Sequence, residues 1–334
     1  MSGRILMLHT GGTIGMERSP QGYRPMTRFS AIVPQHMATL SGLPDYDLIE
    51  LAPLIDSANL LPSHWARIAR TLRTHWNQYD GFVILHGTDT LAWTASALSF
   101  MFQSADRPII LTGAQIPLLE PRSDALANLG TALILASSPA NRGVTIFFGG
   151  VLLQGNRSTK SSSTDFQAFS SPNAAPLARA GISLPSQLPA PPTGPMPNTH
   201  IDTLDDHAVT VLTVYPGLCA TQIEALTQAP ALRGLILCSY GTGNLPDADP
   251  SLLQALARAV ESGIVVVNRT QCAQGSVVHG TYATSSTLER IGIISASDMT
   301  LEAAFAKLHI LLALHRDPQQ VRVQFRIPLC GEMS

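Results

Sequence analysis

The chain of 334 residues is longer than one hydrophobic core usually serves, and 45% of it is hydrophobic against 13% charged, which excludes a disordered tail and favours two globular domains. Twenty-one basic against 23 acidic residues leave a formal charge of −2 with no Lys/Arg-rich stretch, so the phosphate neutralisation that a nucleic-acid partner demands is missing. There is no run of 18 apolar residues for a membrane span, and the apolar segment 5–8, ended by His9, is too short for a secretory core; the expected location is the cytoplasm.

Short apolar runs bounded by turn residues at 4–9, 81–86, 108–112 and 143–148 predict strands covered on both faces. Between them, Pro62 and Ser63 open a helix with Trp65, Ile68, Ala69 and Leu72 on one face, and further helices are predicted over 91–102 and 126–136. This alternation predicts a parallel sheet flanked by helices, with right-handed crossovers. At 184–206 the composition turns proline-rich (Pro185, Pro189, Pro191, Pro192, Pro195, Pro197), which precludes both helix and central strand and reads as a linker. Alternation then resumes with strands at 208–215, 234–241 and 263–270, helices from Ala220 and Pro250, and a last helix at 300–315 whose 308–315 segment reads as strongly buried. The fold expected is α/β, with a larger N-terminal parallel-sheet domain (1–183), the linker (184–206) and a smaller C-terminal α/β domain (207–334).

Cys219, Cys238, Cys272 and Cys330 are widely spaced without a CxxC pair, which fits neither a disulfide framework nor a zinc site, so reduced and mostly buried thiols are expected. The ten histidines show no HExxH spacing, and no metal is expected.

Ligands of open α/β sheets bind beyond the carboxyl ends of the strands. Three such ends are rich in polar residues and glycine: the first strand runs into Thr10-Gly11-Gly12-Thr13-Ile14-Gly15, the second into His86-Gly87-Thr88-Asp89-Thr90, the third into Gly113-Ala114-Gln115. Taken alone, the first loop reads equally as a tight turn whose threonine caps a helix. In the GxGxxG frame it has two of three glycines, but no acidic residue stands about 20 residues on and no helical pattern follows Gly15, so a dinucleotide site is not supported. Thr88 and Asp89 read also as caps of the helix starting at Leu91, and Lys160 by itself as a solvated amine.

Together, TGGTIG (10–15), HGTDT (86–90) and NRSTK (156–160) resemble the bacterial asparaginase family, specifically its type I cytoplasmic branch. The likeness continues through Gln21-Gly22-Tyr23, LIDSANL (54–60), Arg122-Ser123-Asp124, AFSSPN (168–173), Ser239-Tyr240-Gly241, 265–272 and Asp298-Met299-Thr300, so it covers essentially the whole chain. The resemblance implies hydrolysis of L-asparagine to L-aspartate and ammonia through an acyl-threonine, without a cofactor. It implies a catalytic set of Thr13, Tyr23, Thr88, Asp89 and Lys160. Either threonine fits the nucleophile's role; Thr13, on a mobile loop with Tyr23, is preferred, with Lys160 as a base whose burial would favour the neutral amine. Asp89 would take the substrate α-ammonium, Ser57 and the Asp56 backbone its α-carboxylate, the Ala114 carbonyl the leaving amide nitrogen, and the Thr88 N–H the oxyanion. Asn244 would complete a neighbouring subunit's site, which makes a homodimer or a homotetramer built as a dimer of dimers the expected assembly.

Two other readings stand beside this one. A glutamine-hydrolysing amidotransferase subunit shares the core but carries an extra domain before its TGGT motif, which here begins at residue 10; a non-catalytic amino-acid sensor would leave the threonine, aspartate and lysine set without a purpose. One departure is notable. Some type I relatives bind a second asparagine between subunits through an arginine just before Ser-Tyr-Gly, where this chain has Cys238, so a hyperbolic saturation curve is expected if nothing replaces that guanidinium.

Overall fold

The computed structural model describes residues 3–138, 140–184, 201–277 and 283–334. Its elements follow in chain order. β1 (Ile5–His9) leads to a hairpin of β2 (Met16–Ser19) and β3 (Gly22–Pro25), then α1 (Phe29–Met37), β4 (Tyr46–Glu50), α2 (Pro62–His75), β5 (Gly81–Leu85), α3 (Leu91–Met101), β6 (Pro108–Thr112), α4 (Ala125–Ala136) and β7 (Gly143–Phe148). Short strands β8 (Val151–Gln154), β9 (Thr159–Lys160), β10 (Phe169–Ser170) and β11 (Ala178–Arg179) close this half. The second half holds β12 (Val209–Thr213), α5 (Ala220–Thr227), β13 (Gly234–Ser239), α6 (Pro250–Glu261), β14 (Val265–Thr270), α7 (Ala283–Arg290), β15 (Ile294–Ser295), α8 (Leu301–Leu314) and α9 (Pro318–Phe325).

The first sheet has the order β11-β8-β7-β6-β5-β1-β4. Its strands from β4 to β7 are parallel as the sequence predicts, but β8 and β11 add on antiparallel, because β8 returns directly from β7 through Gly149 and Gly150, both at positive φ. Alternation along β1 serves two cores: Leu6 and Leu8 pack towards α2 and α3, whereas Ile5 and Met7 pack towards α1 and α4. That two-sided burial is why the strand reads as a continuous apolar run.

The second sheet, β12-β13-β14-β15, is wholly parallel, with α5 and α6 covering one face and α8 and α9 the other. Helix α8 is apolar nearly all round because it is covered on both sides, by sheet strands β12–β14 and by α2 and α3; Phe305 meets the edges of Trp65 and Trp93 at 6.2 and 5.2 Å. One core therefore runs from the first sheet into the second.

Residues 185–200 of the proline-rich stretch lie outside the described residues. Its far end is not a free tether: Ile201 and Leu204 are buried, and the Asp206 carboxylate accepts the Ser63 amide (2.7 Å) and hydroxyl (3.0 Å) at the start of α2. A carboxylate there satisfies an otherwise unpaired helix N–H and complements the helix dipole. The four thiols are free, but only Cys238 and Cys330 are buried; Cys219 and Cys272 are exposed, contrary to expectation, since Cys219 is the N-cap residue of α5 and Cys272 lies in the loop just beyond β14. Among the described residues no helix is long and apolar enough to cross a membrane.

Candidate active site

Parallel strands β1, β5 and β6 end side by side at His9, Leu85 and Thr112, so the loops that follow meet at one edge of the sheet. The Thr10 amide and hydroxyl both donate to Leu85 O (2.9 and 2.8 Å), and the His86 amide donates to Thr112 O (2.9 Å). Closer approach is reserved to glycine. A Cβ on Gly12 (φ 95°) would stand 2.4 Å from the Gly87 backbone, and one on Gly87 would stand 2.3 Å from Ser57 Oγ. Loops 10–15 and 86–90 are thus in backbone contact, and the 55–57 loop abuts both, through the Ile55 carbonyl at Gly11 and the Ser57 side chain at Gly87.

Thr13 opens a single 3-10 turn, Thr13–Gly15, and the chain then enters the β2–β3 hairpin, so neither the helix-cap reading nor a dinucleotide-binding helix applies. Its hydroxyl makes no hydrogen bond among the described residues. Tyr23, half exposed on β3, joins His9, Gly12, Ile55 and Asp56 in lining a cavity of about 260 Å³ beside this turn. No hydrogen bond connects Tyr23 to Thr13 in this conformation. The hairpin is tied down by Arg18, which pairs with Glu120 at 2.5 Å, and by the Leu118 amide on Ile14 O (3.3 Å).

Thr88 is buried, and Lys160 Nζ donates to its Oγ1 (2.9 Å) and to Asp89 Oδ1 (2.8 Å). These contacts, not a helix cap, occupy Thr88 and Asp89; α3 is capped at Thr90 without any side-chain bond. The Asp89 side chain is 60% exposed, so it remains open to a cationic ligand. Lys160 is less enclosed than the sequence suggested. Its side chain keeps 21% exposure and lies against the Asp89 carboxylate.

Residues to which the resemblance gives no catalytic role also hold these loops. His86 is buried, and burial pushes its ring down to about 4, opposed by the Gly87 carbonyl; the neutral ring donates from Nδ1 to Gly87 O (2.8 Å) and accepts from Thr94 at Nε2 (2.9 Å). Thr90 Oγ1 donates to Ser57 O (2.8 Å), and Asp56 caps the Ser57–Asn59 turn through the Ala58 amide (3.2 Å). The buried Ala114 sits in a loop fixed by Asp124, which accepts the Gln115 and Ile116 amides at 3.0 Å, and by Asn128, which donates to Gly113 O (3.0 Å). Asp124 lies in the Arg-Ser-Asp segment; the offset to Ala114 gives no hint of the contact. Asn244 stands apart, on the turn after β13 whose Tyr240 and Asn244 backbones pair, and no hydrogen bond brings it to Thr13, Thr88 or Lys160.

Residues 4–189 match the family described as asparaginase, N-terminal, and residues 208–325 the glutaminase/asparaginase C-terminal domain. The chain belongs to the asparaginase family. It is similar to L-asparaginase 1 of Escherichia coli, with 43% identity over 338 residues that cover 99% of this chain and 98% of that protein. The crystal structure of L-asparaginase I from Vibrio cholerae superposes with a TM-score of 0.87 at 39% identity, covering all of both chains. That of the thermostable L-asparaginase from Thermococcus kodakarensis gives 0.88 at 32% identity over 99% of each. A large sheet domain followed by a smaller parallel one is this family's fold.

Proposed function

We propose that the chain hydrolyses L-asparagine to L-aspartate and ammonia in two stages, with Thr13 as nucleophile. The observation that supports this reading is the backbone contact of Gly12 with Gly87, each one residue before a threonine, together with the hydrogen bonds that already join Thr88, Lys160 and Asp89. Asp89, paired yet largely exposed, takes the α-ammonium; Ser57 and the Asp56 backbone face the α-carboxylate, and the Ala114 carbonyl accepts from the leaving amide. An ammonium on Asp89 competes with Lys160 for that carboxylate, which leaves the lysine to its second partner, the Thr88 hydroxyl. Attack by Thr13 then forms an acyl ester as its hydroxyl proton passes to the leaving nitrogen, which departs as ammonia; Thr88 with Lys160 orients the water that resolves the ester, and the water's proton returns to the Thr13 oxygen. The Thr88 N–H is the donor proposed for the oxyanion, and Tyr23, on the hairpin over the cavity, the group that orients Thr13.

The same reading assigns Asn244 to a neighbouring subunit's site, which calls for a homodimer or a dimer of dimers, places the protein in the cytoplasm, and divides the chain into domains 1–183 and 207–334 around the linker. Ammonia release from asparagine by the purified chain tests the central claim. A folded protein that binds asparagine without releasing ammonia would favour a sensor instead.

A further inference from the structure

Lys160 meets Thr88 and Asp89 within the site, while the turn before it is held by groups outside the site. It lies on β9, a strand of two residues with a single pairing partner, β10, so the local sheet does little to fix it. The buried turn before it, Gly155–Arg157, is gripped from the C-terminal half of the chain. Arg157 is almost fully buried, and its Nη1 donates to Asp298 Oδ1 (3.1 Å) and Glu332 O (2.8 Å) while Nη2 donates to Asp298 Oδ2 (2.7 Å), Asn173 O (2.8 Å) and Ser334 Oγ (3.3 Å). Asp298 also accepts the Ser334 amide and hydroxyl, both at 2.9 Å. The 329–334 segment is anchored in turn, because Glu332 accepts the Leu329 and Cys330 amides and pairs at 2.5 Å with Lys307 in full burial.

This arrangement is suited to fixing geometry more than to adding stability. A buried ion pair regains in attraction roughly what its desolvation costs, whereas a guanidinium fork on a carboxylate admits one coplanar orientation. Burial raises the Asp298 carboxyl, but hydrogen bonds from Arg157 and Ser334 outweigh it and hold the group below the usual carboxylate range, so the clamp stays charged near neutrality. At the other end, the lysine must meet two acceptors at 2.8 and 2.9 Å, and a small shift of the turn forfeits one of them.

We propose that Asp298, acting through Arg157 and supported by the 329–334 segment, is a positioning residue for Lys160, so that amide hydrolysis depends on the C-terminal segment being seated. The proposal rests on the reading of Lys160 as a catalytic group, and the test separates the two. Steady-state kinetics on asparagine would be measured for the full chain carrying Asp298→Asn, Lys160→Met and both. Asp298→Asn is expected to keep its circular dichroism and a KM within about threefold of wild type, while kcat falls about ten- to a hundredfold, the scale of a misplaced catalytic group. In the Lys160→Met background the same change should have no further effect on the residual rate, since the group it positions is gone; a general folding defect would multiply. Wild-type kcat in Asp298→Asn, or an equal loss in both backgrounds, overturns the proposal. Full turnover in Lys160→Met refutes the reading of the lysine instead. Should Asp298→Asn not fold, Ser334→Ala removes only the hydroxyl shared by Asp298 and Arg157; a kcat about two- to fivefold lower with unchanged KM supports the clamp, and an unchanged kcat overturns it.

Discussion

Replacing Gly12 with alanine tests whether the two threonine loops must touch. The added Cβ would stand 2.4 Å from both the Cα and the N of Gly87, whereas carbon atoms in ordinary contact lie about 3.5 Å apart, so the loops must separate by about 1 Å. No side chain can rotate out of the way, because the obstructing atoms are backbone. Thr13, on the next residue, moves with the loop and away from Thr88 and Lys160. A misplacement of that size costs about a hundredfold in rate, or about 2.7 kcal/mol of barrier. Alanine at φ 95° adds backbone strain of about 1 to 3 kcal/mol to the folded state, which must be separated from the clash. Gly217→Ala supplies the control, since Gly217 has φ 96° and nothing within 4 Å of its would-be Cβ. The assay is ammonia release from asparagine, with urea unfolding of each variant. Gly217→Ala should lose stability to the strain alone, Gly12→Ala should lose at least as much, and only Gly12→Ala should lose kcat. A folded Gly12→Ala enzyme within threefold of wild type would refute the reasoning, as would an equal loss of activity in Gly217→Ala.

Thr13→Ala, Thr88→Ala and Lys160→Met should each remove nearly all turnover with the fold intact by circular dichroism, because no neighbouring oxygen or amine replaces the one lost; activity within tenfold of wild type removes that residue from the mechanism. Asp89→Asn exchanges a charged acceptor for a group that also donates, and should lower kcat/KM for asparagine by about 1.5 to 3 kcal/mol, roughly 10- to 150-fold. An unchanged kcat/KM would place the α-ammonium elsewhere. Burial depresses the rings of His9, His86 and His309 to about 4, well below the roughly 6.5 of an unfolded chain. Between those values the unfolded chain binds protons that the folded one does not, so stability is full above pH 6.5 and declines as pH falls towards 4, by up to about 3 kcal/mol per ring. Urea unfolding at pH 7 and pH 4.5 measures this, and an equal unfolding free energy at both contradicts it.

The strands and the principal helices were legible because both faces of the first sheet are covered: β1, β5, β6 and β7 read as unbroken apolar runs, and the amphipathic face of α2 is the face that packs. Edges were not. β4, half exposed with the sequence YDLIE, and the β2–β3 hairpin carry no comparable pattern, and α9 follows Pro318 too briefly to show one. Thr88, Asp89 and Lys160 were legible as a group only through resemblance, since 71 residues separate Asp89 from Lys160 and spacing says nothing about such a contact. Arg157 was in plain view within the NRSTK motif, yet its partner Asp298 is 141 residues away.

Cys238 shows the same limit in the opposite direction. Read alone, a cysteine before Ser-Tyr-Gly removes a guanidinium and with it the grip on an effector carboxylate, which is the ground for a hyperbolic saturation curve. The register of the second sheet adds a neighbour to that position: Cys238 on β13 lies directly beside Arg269 on β14, and in a parallel sheet neighbouring residues in register project to the same face. Burial raises the Cys238 thiol, and the Arg269 guanidinium is close enough to draw it back down. A guanidinium thus stands on that face one strand over, but it belongs to the 265–272 segment that carries the family likeness, so it does not replace the one missing at 238, and a hyperbolic rate curve over several decades of asparagine remains the expected outcome, which clear sigmoidicity would refute. The two positions are 31 residues apart in the chain and one strand apart in space, and only the register reveals that they are neighbours.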